Sequence, residues 1–479
     1  MNKNSLAKNT VFSVLYQFIS LIFPLIYSVY VGRILLAEGV GHVAFANNVV
    51  SYFILFATLG LSSYGTREVA KVQNDQNKKN VLFTELFVVN SICTTISLLC
   101  FAIFILVVHK TSGDFILYVC CGIPLLFNYA NIDWVYRGQE EYGYIVCRSL
   151  VVKVLMIVAL FVFVHKSEDY VIYALIASLA TSGNYLFNIF HVRKYVHFDF
   201  SCLNLFRHWK SILIIFAGDI VASIYMKLDI LMLGLMSDSA YVGYYDYAQK
   251  TVVVIITICV SFSDAFLPRL SSYYESAREK FLELVNIGLK LLIFLTIPFG
   301  AGAVLLAPCL IEILYGDNFL PSILTLRIFS SLIVIRGIGD LICWKVLVSI
   351  GCERIRVPIL LSSGVLNILL NFILIPVWKH NGAAFASVVS EFFVTVSIFI
   401  YVLKRIHFLF PVKLFFQTVL TTVIMGIAIA LCLNFVSSVF FGLLVSFVGG
   451  CSVYFTLNLI IHNEILFFGI EKFLCRSRK

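Results

Sequence analysis

Apolar stretches of about 20 residues recur along the whole chain, separated by short polar connections. At 1.5 Å of rise per residue, a helix of this length spans the roughly 30 Å hydrocarbon core of a bilayer. The pattern predicts an all-α polytopic membrane protein with about 14 transmembrane helices. Twelve is the alternative, because only Ser437 and Ser438 separate the last two stretches. The predicted spans are residues 9–31, 41–62, 82–108, 115–135, 145–164, 170–191, 211–235, 240–265, 285–307, 322–349, 357–377, 383–403, 414–436 and 439–461.

The composition agrees with a location in lipid. Of the 479 residues, 61% are hydrophobic and 13% are charged, and the mean hydropathy is +0.97. A soluble domain has about 25% charged residues, so a soluble protein is excluded. The first apolar stretch is too long for the core of a signal peptide and no convincing small-residue cleavage site follows it. We therefore expect a retained helix.

Connections rich in Lys and Arg alternate along the chain with connections that contain few of them. With the N-terminus inside, the inner segments hold 23 Lys and Arg, whereas the outer connections hold only four: Arg33, Lys110, Lys166 and Lys379. Short cytoplasmic loops retain positive charge, which predicts that both termini are cytoplasmic. The net charge of +9 is therefore mostly a matter of topology and does not indicate nucleic-acid binding.

Cysteine spacing and loop length exclude further classes. The 13 cysteines form no CxxC or Cys/His ligand pattern, and nearly all lie within predicted spans, so we expect neither disulfides nor a metal. The longest connections, 63–80 and 192–210, are too short to be domains. A membrane enzyme acting on a saccharide would usually expose a larger loop with its acids and nucleophiles. We expect a protein that is not an enzyme and that uses no cofactor.

The chain repeats weakly at an offset of 202 residues. VGHVAFANNVV from Val40 aligns with VGYYDYAQKTV from Val242, and a second similarity places GQE at Gly138 beside GCE at Gly351. Both imply units of six helices. Since six is even, the units share one orientation and form a parallel repeat, with the substrate site expected between them. The predicted units are lobes at residues 1–200 and 201–405, followed by an extra helix pair and cytoplasmic tail at 406–479.

Cations within the spans are the best functional indication. A charged side chain at the membrane centre costs about 3 kcal/mol on insertion scales, so such residues usually face a bundle interior or a wet cavity. Fixed positive charge in a cavity suits an anionic substrate. The cations in or beside spans are Arg33, Arg148, Lys153, Lys227, Lys250, Lys290, Arg327, Arg336 and Lys345.

Position along the spans separates these cations. Lys227 and Lys250 are near mid-span and are candidate cavity residues, although Asp246 is four residues before Lys250 and could pair with it. Arg148 and Lys153 are in the inner part of the fifth span, where they could capture an anion or snorkel to the interface. The candidate substrate-binding residues are Lys227, Lys250, Arg148, Lys153, Arg33 and Arg336.

The remaining cations have simpler explanations. Arg33 ends the first span at its outer edge, where it could assist release or anchor the helix. Arg336 precedes Asp340 by four residues, so a local ion pair is favoured over a cavity role. The residues expected to snorkel from span ends are Lys290, Arg327 and Lys345.

Acidic residues within spans are candidates for ion coupling. Asp219, Asp229 and Asp246 could carry protons or bind Na⁺, because a desolvated carboxylate can have a raised pKa. The alternative is that they pair with the cations. The segment 133–138 is expected to be structural, with Trp134 at the membrane interface.

Two regions resemble a known family. DWVYRGQEEYGYIVCR from Asp133, and GCERIRVP from Gly351 leading to NGAAFASVVSE ending at Glu391, are similar to polysaccharide-repeat-unit flippases of the bacterial O-antigen and capsule type. That family belongs to the MATE-like (MOP) superfamily. The resemblance extends from the first helix through the twelfth. It implies two six-helix lobes around a cavity that opens alternately inward and outward.

The resemblance also implies a substrate, an oligosaccharide carried on undecaprenyl diphosphate and moved outward across the bacterial inner membrane. Membrane lipids, a polysaccharide polymerase and a chain-length regulator are the expected partners. Two other functions stay open at this point. A MATE-like small-molecule exporter would be expected to have acids more than cations in its cavity and no extra helix pair. A membrane polysaccharide polymerase is disfavoured by the short outer connections.

Overall fold

The computed structural model describes the backbone of residues 3–111, 114–201, 203–436 and 438–466, and their side chains except those of 3–22, 108–111 and 265. Within these ranges the chain forms sixteen α-helices. Several residues used for the topology prediction lie outside the described side chains: Lys3, Lys8, Lys110, Ser437, Lys472, Arg476, Arg478 and Lys479. The helices are α1 (Lys3–Thr58), α2 (Leu61–Lys71), α3 (Gln76–Thr111), α4 (Phe115–Leu126), α5 (Asp133–Gly138), α6 (Tyr142–Phe163), α7 (Tyr170–Val192), α8 (Phe206–Met236), α9 (Ser239–Ser261), α10 (Leu267–Ser276), α11 (Arg278–Tyr315), α12 (Ser322–Gly339), α13 (Leu347–Ser349), α14 (Arg356–Ile406), α15 (Val412–Phe435) and α16 (Val439–Ile460).

The predicted spans fall on these helices. Two helices are long enough to contain two spans each, and each has one residue with positive φ at its break: Leu36 in α1 (φ 59°) and Lys379 in α14 (φ 50°). By length and composition alone, nine helices in the described ranges are long and apolar enough to cross a membrane. The all-α, multi-span fold is confirmed, and the number of fourteen spans stays a prediction.

The order of elements repeats once along the chain. A broken helix, a short amphipathic helix and a long helix occur as α1, α2 and α3, and again as α8 with α9, α10 and α11. Leu36 has Asp238 as its counterpart at the offset of 202, and Asp238 lies in the gap between α8 and α9. Lys379 follows Lys166 by 213 residues, the spacing that separates Gly138 from Gly351, and Lys166 lies between α6 and α7. This agreement supports the predicted six-helix repeat.

Gly41 and Gly243 form a close backbone contact between α1 and the start of α9. A Cβ at Gly41 would overlap the carbonyl group of Ser239, and a Cβ at Gly243 would overlap the carbonyl group of Ala37. Ser239 is the counterpart of Ala37 at the offset of 202, as Gly243 is of Gly41. The contact is therefore reciprocal, as contacts across a two-fold axis are.

Contacts divide the chain into two compact units, unit 1 (Met1–Gly243) and unit 2 (Tyr244–Lys479). By its contacts α8 belongs to unit 1, where it packs on α1 and α2. By element order it begins the second repeat. The predicted lobe boundary at residue 200 follows the repeat and stays a prediction.

The connection between α7 and α8 lies along one face of α3. We call its residues 193–201 and 203–205 the strap. Residues 76, 80 and 84 are spaced by four, so their side chains lie on one side of α3. The strap bonds are Gln76 to the Tyr195 carbonyl (2.9 Å), the His197 N–H to Asn80 (3.0 Å), the Asp199 N–H to Thr84 (2.8 Å) and the Asn204 N–H to Glu85 (2.7 Å).

Glu85 joins the end of the strap to α8. Its carboxylate is 0% exposed, and besides the Asn204 N–H it accepts hydrogen bonds from Arg207 and from Nε2 of His208 at 2.9 Å. Nδ1 of His208 lies 2.7 Å from the Tyr64 hydroxyl of α2. A buried carboxylate is stable only with such compensation. The first turn of α8 is therefore tied to α2 and α3 within unit 1.

The reciprocal glycine contact gives a first prediction. Gly41→Val and Gly243→Val should each lower the free energy of unfolding by about 1–3 kcal/mol, because the added side chain overpacks a backbone contact. Because both changes open the same contact, the double variant should be destabilised by less than the sum. Thermal unfolding in detergent measures this. Gly218→Val is the matched control, since nothing lies within 4 Å of a Cβ built there. The prediction would be contradicted if the double variant lost as much stability as the two single variants together, or if Gly218→Val lost as much as either of them.

Candidate functional site

Arg148 is held in an ion pair within unit 1. Its guanidinium, with a side chain only 4% exposed, lies 3.0 and 3.1 Å from the two carboxylate oxygens of Asp133. Asn188 donates to Asp133 at 2.6 Å and accepts a hydrogen bond from Arg148. This bidentate arrangement ties α5, α6 and α7 together. To bind a substrate anion, Arg148 would have to leave Asp133.

Trp134 lies next to this pair and is buried, not at the membrane interface as the sequence suggested. It is 2% exposed, and a Cβ at Gly65 of α2 would lie 2.7 Å from its indole. Its ring centroid is 5.9 Å from that of Phe83. The indole therefore joins α2, α3 and α5, and the segment 133–138 is structural as expected.

Lys227 lies half-buried in the middle of α8. Its ammonium forms no ion pair with any residue that the structure describes, and its backbone carbonyl accepts a hydrogen bond from Asn48 of α1 at 3.1 Å. Asp229, two residues further on, is buried near Tyr52 of α1. The two charges lie on different faces of α8, as their spacing predicts.

Asp219 is the third charged candidate on α8. Its carboxylate oxygen lies 3.4 Å from where a Cβ of Gly60 would be, beside the turn between α1 and α2. The side chain is half-buried, and no cation among the described residues forms an ion pair with it. Asp219 and Lys227 are therefore the candidates on α8 whose charges are not compensated by an ion pair within the described chain.

Lys153 and Arg33 lie on other helices of unit 1. The Lys153 ammonium is 5.8 Å from the ring centroid of Phe23, so α6 and α1 meet there through a cation–π contact. Arg33 is exposed on α1, three residues before its break at Leu36. Their roles in substrate capture and release stay predictions.

Lys250 pairs with Asp246 on α9, in unit 2. The ammonium lies 2.5 Å from the carboxylate and 4.9 Å from the ring centroid of Tyr247. The predicted pair four residues apart is confirmed. The Lys250 side chain is 39% exposed and that of Asp246 is 12% exposed, so the cation remains accessible at one side of the pair.

The predicted pair of Arg336 with Asp340 is wrong. Arg336 of α12 instead contacts Glu391 of α14, with nitrogen–oxygen distances of 2.8 and 2.9 Å. Asp340 is bound by Lys345, five residues later. The reason is a π-helical turn over Asp340–Val346, whose wider turn brings residues five apart together.

The prediction that Lys345 snorkels to the interface is wrong as well. Its side chain is 7% exposed and lies between two carboxylates, bonded to Asp340 and 3.0 Å from Asp264. The Ser263 hydroxyl also donates to Asp340, at 2.7 Å. The cluster connects α12 with the end of α9, and in the described ranges no three acidic, His or Cys side chains are arranged to hold a metal ion.

Two other cations that were expected to snorkel have partners within unit 2. Lys290 of α11 forms an ion pair with Glu464, whose side chain is mostly exposed. Nε of Arg327, on exposed α12 surface, donates to the Val304 carbonyl at 3.3 Å. The Lys290 side chain therefore forms a contact between α11 and the segment after α16, which simple snorkelling would not provide.

Sequence reasoning missed a cavity in unit 2. Helices α11, α15 and α16, with Ile255 of α9, line a partly open cavity of about 430 Å³. Its lining is almost entirely apolar, includes Leu306, Met425 and Phe447, and has Gly302 in its wall. The Tyr454 hydroxyl is turned away to the Phe294 carbonyl at 2.7 Å. The extra helix pair therefore forms an apolar surface together with α11.

Comparison with solved structures defines the class of protein. The lipid II flippase MurJ in an inward closed conformation has a TM-score of 0.78 at 17% identity, covering 95% of this chain and 100% of that one. An inward-facing multidrug resistance MATE family transporter of the MOP superfamily has a TM-score of 0.65 at 16% identity, covering 80% and 94%. The chain therefore shares the fold of these two transporters.

Sequence comparison defines the family. The "Putative O-antigen transporter" of Escherichia coli (strain K12) is 24% identical over 400 residues, covering 82% of this chain and 96% of that protein. The protein of the same name in Shigella dysenteriae is 23% identical over 392 residues, covering 80% and 96%. The family described as polysaccharide biosynthesis protein matches residues 6–274, and the chain belongs to it. The resemblance found in the sequence is confirmed.

Neutralising the Asp133–Arg148 pair tests its structural role. Arg148→Gln should destabilise the protein by about 3 kcal/mol, because the largely buried carboxylate of Asp133 loses its ion-pair partner. The double variant Asp133→Asn, Arg148→Gln should recover most of that loss, since no charge remains buried. Thermal unfolding and membrane protein level measure both. A double variant no more stable than Arg148→Gln would show that the pair is not the source of the loss.

The candidate cavity cations Lys227 and Lys250 give a separate prediction. Lys227→Ala and Lys250→Ala should each abolish transport without reducing protein level, because an anionic substrate loses fixed positive charge, whereas Arg at either position should retain part. Restoration of surface polysaccharide in a host lacking its own family member measures transport. Lys71→Ala, an exposed residue paired with Glu68, is the control. Full activity of both Ala variants at normal protein level would overturn the assignment.

Proposed function

We propose that this protein is a flippase for an undecaprenyl-diphosphate-linked oligosaccharide repeat unit of O-antigen, capsule or exopolysaccharide. It moves the unit from the cytoplasmic to the outer face of the bacterial inner membrane, with both termini in the cytoplasm. Membership of the polysaccharide biosynthesis protein family and the similarity to O-antigen transporters support this. So does the structural similarity to a lipid II flippase. Translocation by alternating access needs no covalent step, so the protein is not an enzyme.

The apolar cavity of unit 2 is the observation that carries the proposal. A lipid-linked substrate has a long hydrocarbon tail that must stay in an apolar environment while its head group crosses. The surface formed by α11, α15 and α16 supplies that environment beside the six-helix repeats. Carrying a small water-soluble molecule would not require it.

The head group needs the opposite chemistry. A diphosphate that leaves water requires fixed positive charge, and Lys or Arg supplies it. Lys227 is suited to this because it has no ion pair within the described chain, and Lys250 because it is exposed beside Asp246. Arg148 and Arg336 are already neutralised by carboxylates, so their contribution would come through exchange of partners.

Ion coupling belongs to the same proposal. In this proposal the coupling proton or Na⁺ binds Asp219, near the turn after α1, and Asp229, near Tyr52. Asp246 would couple through Lys250, since protonation of the acid would release the cation. The polymerase and the chain-length regulator are proposed partners because they would act on the exported unit.

A MATE-like small-molecule exporter is the second candidate, favoured by the shared fold at a TM-score of 0.65. It would depend on the acids of α8 and would not depend on the cavity formed by the extra helix pair. The two functions therefore differ in their response to filling that cavity.

Gly302→Phe tests the proposal. The new ring should occupy the apolar cavity without a clash, because nothing lies within 4 Å of a Cβ at this position. We expect transport to fall at least about tenfold, equivalent to ~1.4 kcal/mol, with lipid-linked single repeat units trapped on the inner face. Fractionation of lipid-linked units by protease or glycosidase accessibility measures this.

Gly364→Phe on α14 is the matched control, since its Cβ position is also open and it does not line the cavity. If Gly302→Phe transports normally at a normal protein level, the cavity no longer supports the proposed function. In a strain lacking the protein, repeat units that reach the outer face unpolymerised would overturn the flippase assignment itself.

A further inference from the structure

A second cavity lies under the strap, within unit 1. It has a volume of about 530 Å³ and is bounded by α3, α7, the turn after α4 and the strap itself. The aromatic rings of Phe83 and Phe87 form one wall, and Phe198 of the strap packs on both at centroid distances of 5.2 and 5.1 Å. The translocation proposed above makes no use of this cavity.

The cavity has a cationic end. Arg193 and His197 of the strap line it and are both exposed. Neither side chain forms an ion pair or hydrogen bond with a residue that the structure describes. The nearby Asp199 carboxylate is occupied by Ser201, whose hydroxyl and N–H hold the pKa of Asp199 below its usual value. Among the described residues, no side chain therefore neutralises the positive charge of Arg193 at this end.

The apolar lining of the cavity reaches the protein surface at the other end. Leu126, Leu186 and Phe198 line the cavity and are also exposed on the protein surface. Further along the strap Phe200 is exposed, and at the start of α8 the exposed Phe206 directly precedes Arg207. Apolar rings and cations side by side are typical of a segment lying in the membrane interface. An acyl chain could enter this end laterally from lipid.

The cavity is built by a fixed backbone. Four hydrogen bonds hold the strap on α3, so Arg193 and His197 stand at a defined place relative to Phe83 and Phe87. A basic end, an apolar interior and an opening to the bilayer match a lipid with a negatively charged head group. A zwitterionic lipid would fill the interior equally well but would gain less from the cations.

We propose that this cavity is a binding site for an anionic phospholipid of the leaflet predicted to be cytoplasmic. The phosphate binds Arg193 and His197, and one acyl chain lies among Phe83, Phe87 and Phe198. The occupant stays at one face of the membrane, since all the walls belong to unit 1 and to one end of its helices. Its binding stabilises the strap and, through Glu85, the first turn of α8.

The test uses the full-length protein, delipidated in detergent and titrated with phosphatidylglycerol or phosphatidylcholine of identical acyl chains. Native mass spectrometry counts the retained lipid, and thermal unfolding reports its effect. The wild type should bind phosphatidylglycerol about tenfold more tightly, equivalent to ~1.4 kcal/mol. Arg193→Gln should lose that preference. Leu186→Trp, which fills the opening, should reduce retention of both lipids.

Lys194→Gln is the matched control, because Lys194 neighbours Arg193, has the same charge and does not line the cavity. Equal retention of the two lipids by the wild type, or equal losses in Arg193→Gln and Lys194→Gln, would overturn the proposal. Inorganic phosphate alone should not stabilise the protein, and if it does, the site binds anions and not lipid. Displacement of phosphatidylglycerol by equimolar undecaprenyl diphosphate would assign the cavity to the substrate instead.

Discussion

The free energy of removing a charge from water is the constraint on which this structure depends. In the hydrocarbon region each cation must either find a carboxylate or face a wet or anionic environment. Arg148 with Asp133 and Arg336 with Glu391 satisfy the constraint across helix interfaces, so the ion pairs also tie neighbouring helices together. Lys227 is the complementary case, because its ammonium has no ion pair with any residue that the structure describes, as the proposed binding of an anionic head group requires.

The same constraint distinguishes the two cavities. Both are lined mainly by apolar side chains, and both could accommodate hydrocarbon. The cavity between α11, α15 and α16 has almost no polar lining, so it can hold a chain that slides. The cavity under the strap has Arg193 and His197 at one end, so the lipid proposed for it would be held by its head group. The basic side chains are therefore the physical basis on which we propose different roles for the two cavities.

The features that could be predicted from the sequence are those that depend on short stretches of chain. Span positions follow because each residue adds its own transfer free energy, and the Asp246–Lys250 pair follows from helix geometry. The pairing of Arg336 with Glu391 could not be predicted, because 55 residues separate them and a π-helical turn follows α12. The burial of Trp134 depends on a glycine in another helix. The cavity of unit 2 needs three packed helices, so no single segment shows it.

The strap has a consequence for how the protein moves. A connection between two repeats is usually pictured as a flexible linker, yet this one is bonded to α3 at four points and ends at the buried Glu85. The first turn of α8 must therefore travel with α3 as one rigid body. The helices are interrupted elsewhere, at Leu36 and in the gap at Ser237 and Asp238. In the alternating access proposed above, these counterpart breaks, and not the strap, would be the sites of bending.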